Sequence, residues 1–144
     1  MNRDILAEHL IHDEGLRLKP YIDTAGKCSL GVGRNLDDVG ISRYEAMFLL
    51  ENDVERMLAE VSKLSFWHKL NEARQLVIAN MCFNLGIVRL KKFKRMFTAL
   101  SYENYDEAAN EMLDSKWARR DVGSRALRLA DMMRSGEIPD HYGG

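Results

Sequence analysis

A chain of 144 residues, 46% hydrophobic and 30% charged, has ordinary globular composition, which excludes disorder and collagen-like architecture. Such a length buries about two thirds of the unfolded surface, so folding needs neither disulfides nor a metal. The net charge of −1 hides an asymmetry: residues 1–60 hold 7 basic and 12 acidic side chains, and residues 61–144 hold 14 and 10. Neither part is basic enough to argue nucleic-acid binding by bulk charge, although the second could hold a polyanion locally.

In chain order, Ile5, Leu6, His9 and Leu10 share one face of a first helix that ends near Asp13, with Gly15 as its stop. Acids and a His interrupt this start, so it reads as neither signal peptide nor membrane span, and release by another agent is expected if the target lies beyond the membrane. From Leu16 to Leu36, Pro20, Gly26, Gly31 and Gly33 break any helix. Thr24-Ala25-Gly26-Lys27 reads as a turn, and 27–32 as a strand in a small hairpin.

Ser42 with Glu45 forms a capping box. It opens a long helix whose stripe is Met47, Leu50, Val54, Met57, Leu58 and Val61. A helix from about Asn71 to Leu85 is apolar on all sides and should be central, ending at Gly86. Leu90, Phe93, Met96, Phe97 and Leu100 predict another. Asn104 with Glu107 reads as a second capping box, and Ser124 as the cap of a last helix closed by Gly136. The other methionines, Met81, Met96, Met112, Met132 and Met133, read as packing. Cys28 and Cys82 lie among apolar or small residues and show no zinc spacing, so both read as buried free thiols.

The expected fold is α+β and predominantly helical. The span 1–144 forms a single domain: a small lobe at about 14–41, a joining helix at about 42–62, and a helical lobe at about 63–137 packed with helix 2–13. Pockets favour such junctions.

The informative stretch is 13–36. It sets Glu14 at a helix end, Asp23 nine residues on before a turn, and Ser29 six further on a strand. Two carboxylates and a hydroxyl gathered this way suit glycosidic hydrolysis. One carboxyl donates a proton to the leaving oxygen, and the other, ionised, holds water or steadies an oxocarbenium-like centre. By spacing alone, a solvated surface position is the commoner state of such carboxylates.

The wider pattern is Asp13-Glu14-Gly15-Leu16-Arg17-Leu18-Lys19, Tyr21, Asp23-Thr24, Gly26 and Gly31-Val32-Gly33. Asn80 through Gly86, Tyr105 through Ala109, Ser115-Lys116-Trp117 and Arg125 through Arg128 continue it. In these residues the chain resembles the T-even-phage lysozymes, the endolysins of glycoside hydrolase family 24, over about residues 4–137. The resemblance implies a lysozyme-like bilobal fold and hydrolysis of the β-1,4 bond between N-acetylmuramic acid and N-acetylglucosamine in peptidoglycan. It puts Glu14, Asp23 and Ser29 on the family's catalytic Glu, Asp and Thr positions. Asn84, Arg125 and Gly31 fall on positions near the substrate. It implies no cofactor or metal, a monomer, peptidoglycan strands as partner, no nucleic acid, no stable membrane insertion, and release from the bacterial cytoplasm by a holin-type pore.

Three departures stand out. Ser29 keeps the hydroxyl of the family Thr but loses the methyl that restricts its rotamers. Arg34 stands where many members have His, and the span Leu36–Gly40 is short. Two rival functions remain open: a lytic transglycosylase, and a catalytically silent wall-binding module on the same fold.

Other features read structurally. Gly31-Val32-Gly33 lacks the rest of a phosphate loop. His9 and His12 lack a matched third ligand. Trp117 reads as core, with Asn84 as its hydrogen-bond partner. The run Arg89–Arg95 reads as the solvated face of an amphipathic helix, with attraction to an anionic wall or membrane as the alternative. The cations of 116–128 read as possible substrate contacts.

Overall fold

The computed structural model describes residues 1–140, without the side chain of Asp121. Residues 141–144 of the expected span lie outside the described residues. The chain forms two compact units, Met1–Leu50 and Glu51–Gly144. The architecture is α+β and mainly helical, with one small antiparallel sheet.

The first unit opens with α1, Arg3–Glu14. Asn2 caps it, its Oδ1 accepting from the Asp4 and Ile5 N–H groups at 3.1 Å each. Gly15 stops it at φ 80°, donating its N–H to the Ile11 carbonyl at 2.8 Å. Strands β1 (Arg17–Ile22), β2 (Cys28–Gly31) and β3 (Arg34–Asn35) follow, in that order across the sheet. The register pairs Tyr21 with Ser29, and Ser29 with Asn35. It slips between Arg17 and Tyr21, where Pro20 has no N–H to give a ladder.

The short 36–40 span folds back onto β2. Leu36 N–H donates to the Cys28 carbonyl, and Asp37 Oδ2 accepts the Cys28 N–H, both at 2.8 Å. Asn35 Oδ1 takes the Asp38 N–H at 3.0 Å. This unit has no apolar core: of its residues only Ser29 is fully buried. Cys28 is half-buried, not buried as expected: neighbouring residues of a strand face opposite sides of the sheet, so it does not share the enclosed side of Ser29.

Helix α2, Arg43–Val61, runs across the boundary of the two units. Its capping box is complete: the Glu45 N–H donates to Ser42 Oγ at 3.1 Å, and the Ser42 N–H to Glu45 Oε1 at 2.9 Å. The expected buried stripe is not buried. Met47 is 52% exposed and only Val61 is enclosed. A period marks a face; the cover has to come from another layer, and buried apolar side chains begin only at Val61.

The second unit holds that core. After a short 3-10 turn, Trp67–Lys69, come α3 (Glu72–Leu85), α4 (Ile87–Leu90), α5 (Lys94–Ser101) and α6 (Tyr105–Leu113). A π turn, Trp117–Val122, then leads into α7 (Ser124–Ser135). Helix α3 is central as expected, burying Val77, Ile78, Met81 and Cys82, although Leu76 and Phe83 stay exposed. Around it pack Leu90, Met96, Leu100, Met112, Leu129 and Met133.

Three expected details differ. The single helix through 90–100 is broken at 91–93, where hydrogen bonds tighten to Lys92→Arg89 and Phe93→Leu90. A continuous helix would stack Lys91 over Lys94 and Arg95, like charges at i+3 and i+4. Asn104 makes half a capping box: its Oδ1 accepts the Glu107 N–H at 3.2 Å, but its own N–H already goes to the Ala99 carbonyl. Ser124 does not cap α7. Gly123 takes that place at φ 35°, because the π turn reaches it and leaves Ser124 inside the helix.

Arg74 ties the ends of α3 and α7 together. Its Nε donates to the Met133 carbonyl at 2.8 Å and its Nη2 to that of Arg134 at 3.0 Å, satisfying carbonyls that a helix end leaves open. Its guanidinium also stacks 3.7 Å from the Tyr105 ring centre.

Candidate active site

Glu14, Asp23 and Ser29 all lie in the first unit. The turn after β1 holds Asp23: its Oδ1 accepts the Ala25 and Lys27 N–H groups at 2.9 Å each. Its own N–H donates to the Lys27 carbonyl at 2.8 Å, closing the Thr24–Lys27 turn read from sequence. Ser29 reaches it from β2, its Oγ donating to Asp23 Oδ2 at 3.0 Å. The Lys27 N–H, the Ser29 hydroxyl and the Ala25 N–H hold the Asp23 carboxyl below its ordinary range, against a smaller desolvation. An ionised carboxylate with one oxygen saturated by the backbone keeps acceptor capacity on Oδ2. The buried hydroxyl beside it keeps a free lone pair.

Glu14 is the last residue of α1, and its side chain lies over Gly33. A Cβ built on Gly33 would stand 3.0 Å from Glu14 Oε2 and 3.4 Å from its carboxyl carbon. Gly33 also has φ 66°. Glycine is thus required twice over, for the backbone conformation and for the carboxylate above it. The sequence shows Gly-x-Gly as a tight turn, but not that a catalytic candidate rests on its second glycine. Gly31 pairs with Arg17 across the sheet and borders an apolar-walled cavity of about 530 Å³ with Val32, Tyr44 and Phe48.

Sequence reasoning missed the partner of Arg34. Its Nη1 and Nη2 fork onto Glu45 Oε1 and Oε2 at 2.9 and 2.8 Å, and Nη1 also donates to the Gly40 carbonyl at 3.0 Å. The fork pulls the Glu45 carboxyl down to about 2, the Ser42 N–H helping, and raises Arg34 in return. It clasps β3, directly after Gly33, to the start of α2. The signal was present in the capping box, whose Glu has a second oxygen to offer.

Asn84 and Arg125 belong to the second unit. Asn84 Oδ1 accepts the Trp117 indole N–H at 2.9 Å, as expected, and Trp117 is core, edge-on to Phe93. Arg125 Nε donates to Asn80 Oδ1 at 2.8 Å. Arg119 is drawn off to Asp114 at 2.7 Å. Among the described residues no group of three or more His, Cys, Asp or Glu side chains is placed to hold a metal; His12 Nδ1 sits 3.1 Å from Asp13 Oδ1 instead.

Comparison with known proteins adds descent to this geometry. The chain is 29% identical to the pre-baseplate central spike protein Gp5 of Enterobacteria phage T4, over 96% of its own length but only 29% of that protein's. It is 25% identical to a probable T4-type lysozyme of Dictyostelium discoideum, covering 94% of this chain and 97% of the relative. Against the SAR-endolysin of Escherichia phage Mu it is 27% identical, over 80% and 67%. The model of the phage lysozyme family matches residues 12–131, a stretch that includes Glu14, Asp23 and Ser29. The chain belongs to the phage lysozyme family and is a lysozyme-type glycoside hydrolase that acts on peptidoglycan.

Proposed function

We propose that the chain is an endolysin muramidase. It hydrolyses the β-1,4 bond between N-acetylmuramic acid and N-acetylglucosamine, with Glu14 as general acid and Asp23 with Ser29 positioning the water. The observation that carries this reading is the 3.0 Å hydrogen bond from buried Ser29 to an Asp23 carboxylate held ionised by two backbone N–H groups.

The division of labour follows from chemistry. Asp23, kept below its ordinary range, is a poor proton acceptor in the ground state but a good anchor for water and a fixed negative charge. As the glycosidic bond stretches, positive charge grows at the anomeric carbon and is steadied by that carboxylate. The water held between Asp23 Oδ2 and Ser29 Oγ then adds and loses its proton to the carboxylate. Glu14, at the end of α1, gives its proton to the leaving oxygen. The substrate is the glycan strand; Asn84, Arg125 and Gly31 are proposed to contact it. No cofactor takes part, and the enzyme works as a monomer on the periplasmic wall after holin-type release from the cytoplasm. No described helix is long and apolar enough to cross a membrane.

The test is clearing of outer-membrane-permeabilised Gram-negative cells by wild type beside Glu14→Gln, with mass spectrometry of the fragments. Clearing by wild type alone, with reducing-end products, is expected. Anhydro products would assign a lytic transglycosylase. Wall binding without clearing would leave a silent module, and clearing by Glu14→Gln would remove Glu14 from the acid role.

A further inference from the structure

The cations of the run 89–95 are solvent-exposed, as expected, but they do not share one helix face. The helix breaks there, and Arg89, Lys92, Lys94 and Arg95 line a cavity of about 480 Å³ in the second unit. A fifth cation, Lys116, joins them from far along the chain, just before the π turn. The wall behind them is apolar and includes Trp117. Two carboxylates also line it, Glu111 and Asp114, but Asp114 is engaged by Arg119 at 2.7 Å. Among the described residues Lys92, Lys94, Arg95 and Lys116 enter no ion pair.

Like charges are gathered around a partly apolar hollow, and Lys94 and Arg95 sit in the first turn of α5, where the helix dipole is already positive. Phe93, at the cap position, offers no side-chain acceptor. The cationic side chains remain exposed, and residues far apart in sequence bring them around one hollow.

We propose that this cavity is an anion site that takes a phosphate group, the chemistry shared by free phosphates and phospholipid headgroups. A free phosphate brings about two negative charges and a phosphodiester headgroup about one, each with several acceptor oxygens that can engage more than one cation at once. Its lining residues all belong to the second unit and include none of Glu14, Asp23 and Ser29, so phosphate binding there takes no part in the proposed reaction.

The test uses the full chain. Calorimetric titration with inorganic phosphate and with pyrophosphate, against chloride at matched ionic strength, reads free phosphate. Co-sedimentation with phosphatidylglycerol–phosphatidylcholine vesicles, against phosphatidylcholine alone, reads headgroups. Binding in either arm is expected, together with a loss of more than about tenfold in the combined Lys92→Ala, Lys94→Ala, Arg95→Ala variant. Lys91→Ala removes an exposed cation that does not line the cavity and should bind like wild type. In chloride, Lys94→Ala should melt no lower than wild type, since it removes a cation from the positive end of α5. Absence of binding in both arms would overturn the proposal. So would a Lys91→Ala loss equal to that of Lys94→Ala, which would reduce the effect to bulk charge.

Discussion

Ser29 Oγ lies 3.0 Å from Asp23 Oδ2, and Ser29 is the sole fully buried residue of the first unit. A hydroxyl buried in a unit without an apolar core is there for its partner. Ser29→Ala removes the donor and one contact for the proposed water. We expect kcat to fall by about two orders of magnitude with little change in melting. Ser29→Thr restores the family residue and keeps the hydroxyl, so activity should match or exceed wild type. Turbidity assays on both variants check this; a collapse of Ser29→Thr would mean that the site has no room for the methyl.

Gly33→Ala tests the seat of Glu14. The new Cβ would meet Glu14 Oε2 at 3.0 Å, and φ 66° strains any L residue. The carboxyl must move, so kcat should drop at least about tenfold, since small misplacements are costly in catalysis. Gly40→Ala is the comparison: it carries the same strain at φ 67°, but its new Cβ would meet only the Leu36 carbonyl oxygen, at an ordinary 3.9 Å. Equal losses in the two variants would assign the effect to the backbone alone.

The Arg34–Glu45 fork predicts a pH dependence. Glu45 sits at about 2 in the fold, against an ordinary 4.5, so its contribution is fully present above the unfolded value and is lost as pH falls toward 2. Asp23, also lowered, works in the same direction. Wild type should therefore lose melting temperature between about pH 5 and pH 2, and Arg34→Gln should lose less over that window. Parallel melting curves for the two proteins would show that the fork is not the acid-sensitive element. Both side chains are partly exposed, so high salt should weaken the effect.

Arg74→Ala removes two hydrogen bonds to carbonyls at the end of α7 and the stack on Tyr105. We expect a loss of about 2 kcal/mol, several degrees of melting temperature, with kcat unchanged. Arg74→Lys keeps the charge but not the fork and should recover only part of it. Denaturant titration gives the number directly.

Much of this protein is written in local chemistry. The capping box of Ser42 and Glu45, stops at Gly15, Gly86 and Gly136, and the turn 24–27 depend on residues within a few positions of each other. They were legible for that reason. Burial was less so: the α2 stripe and the helical reading of 90–100 both assumed a cover or a continuity that neighbours had to supply. The sequence by itself determined most of the helices, the small sheet and the family, and it nominated Glu14, Asp23 and Ser29. Only the tertiary structure decided which oxygen of Asp23 is saturated and that Glu14 lies over Gly33. It alone paired Arg34 with Glu45 and gathered Lys116 to the cations of 89–95. Each of these depends on where separate elements meet, and hydrogen bonds and charge act over a few ångströms of space whatever the distance along the chain.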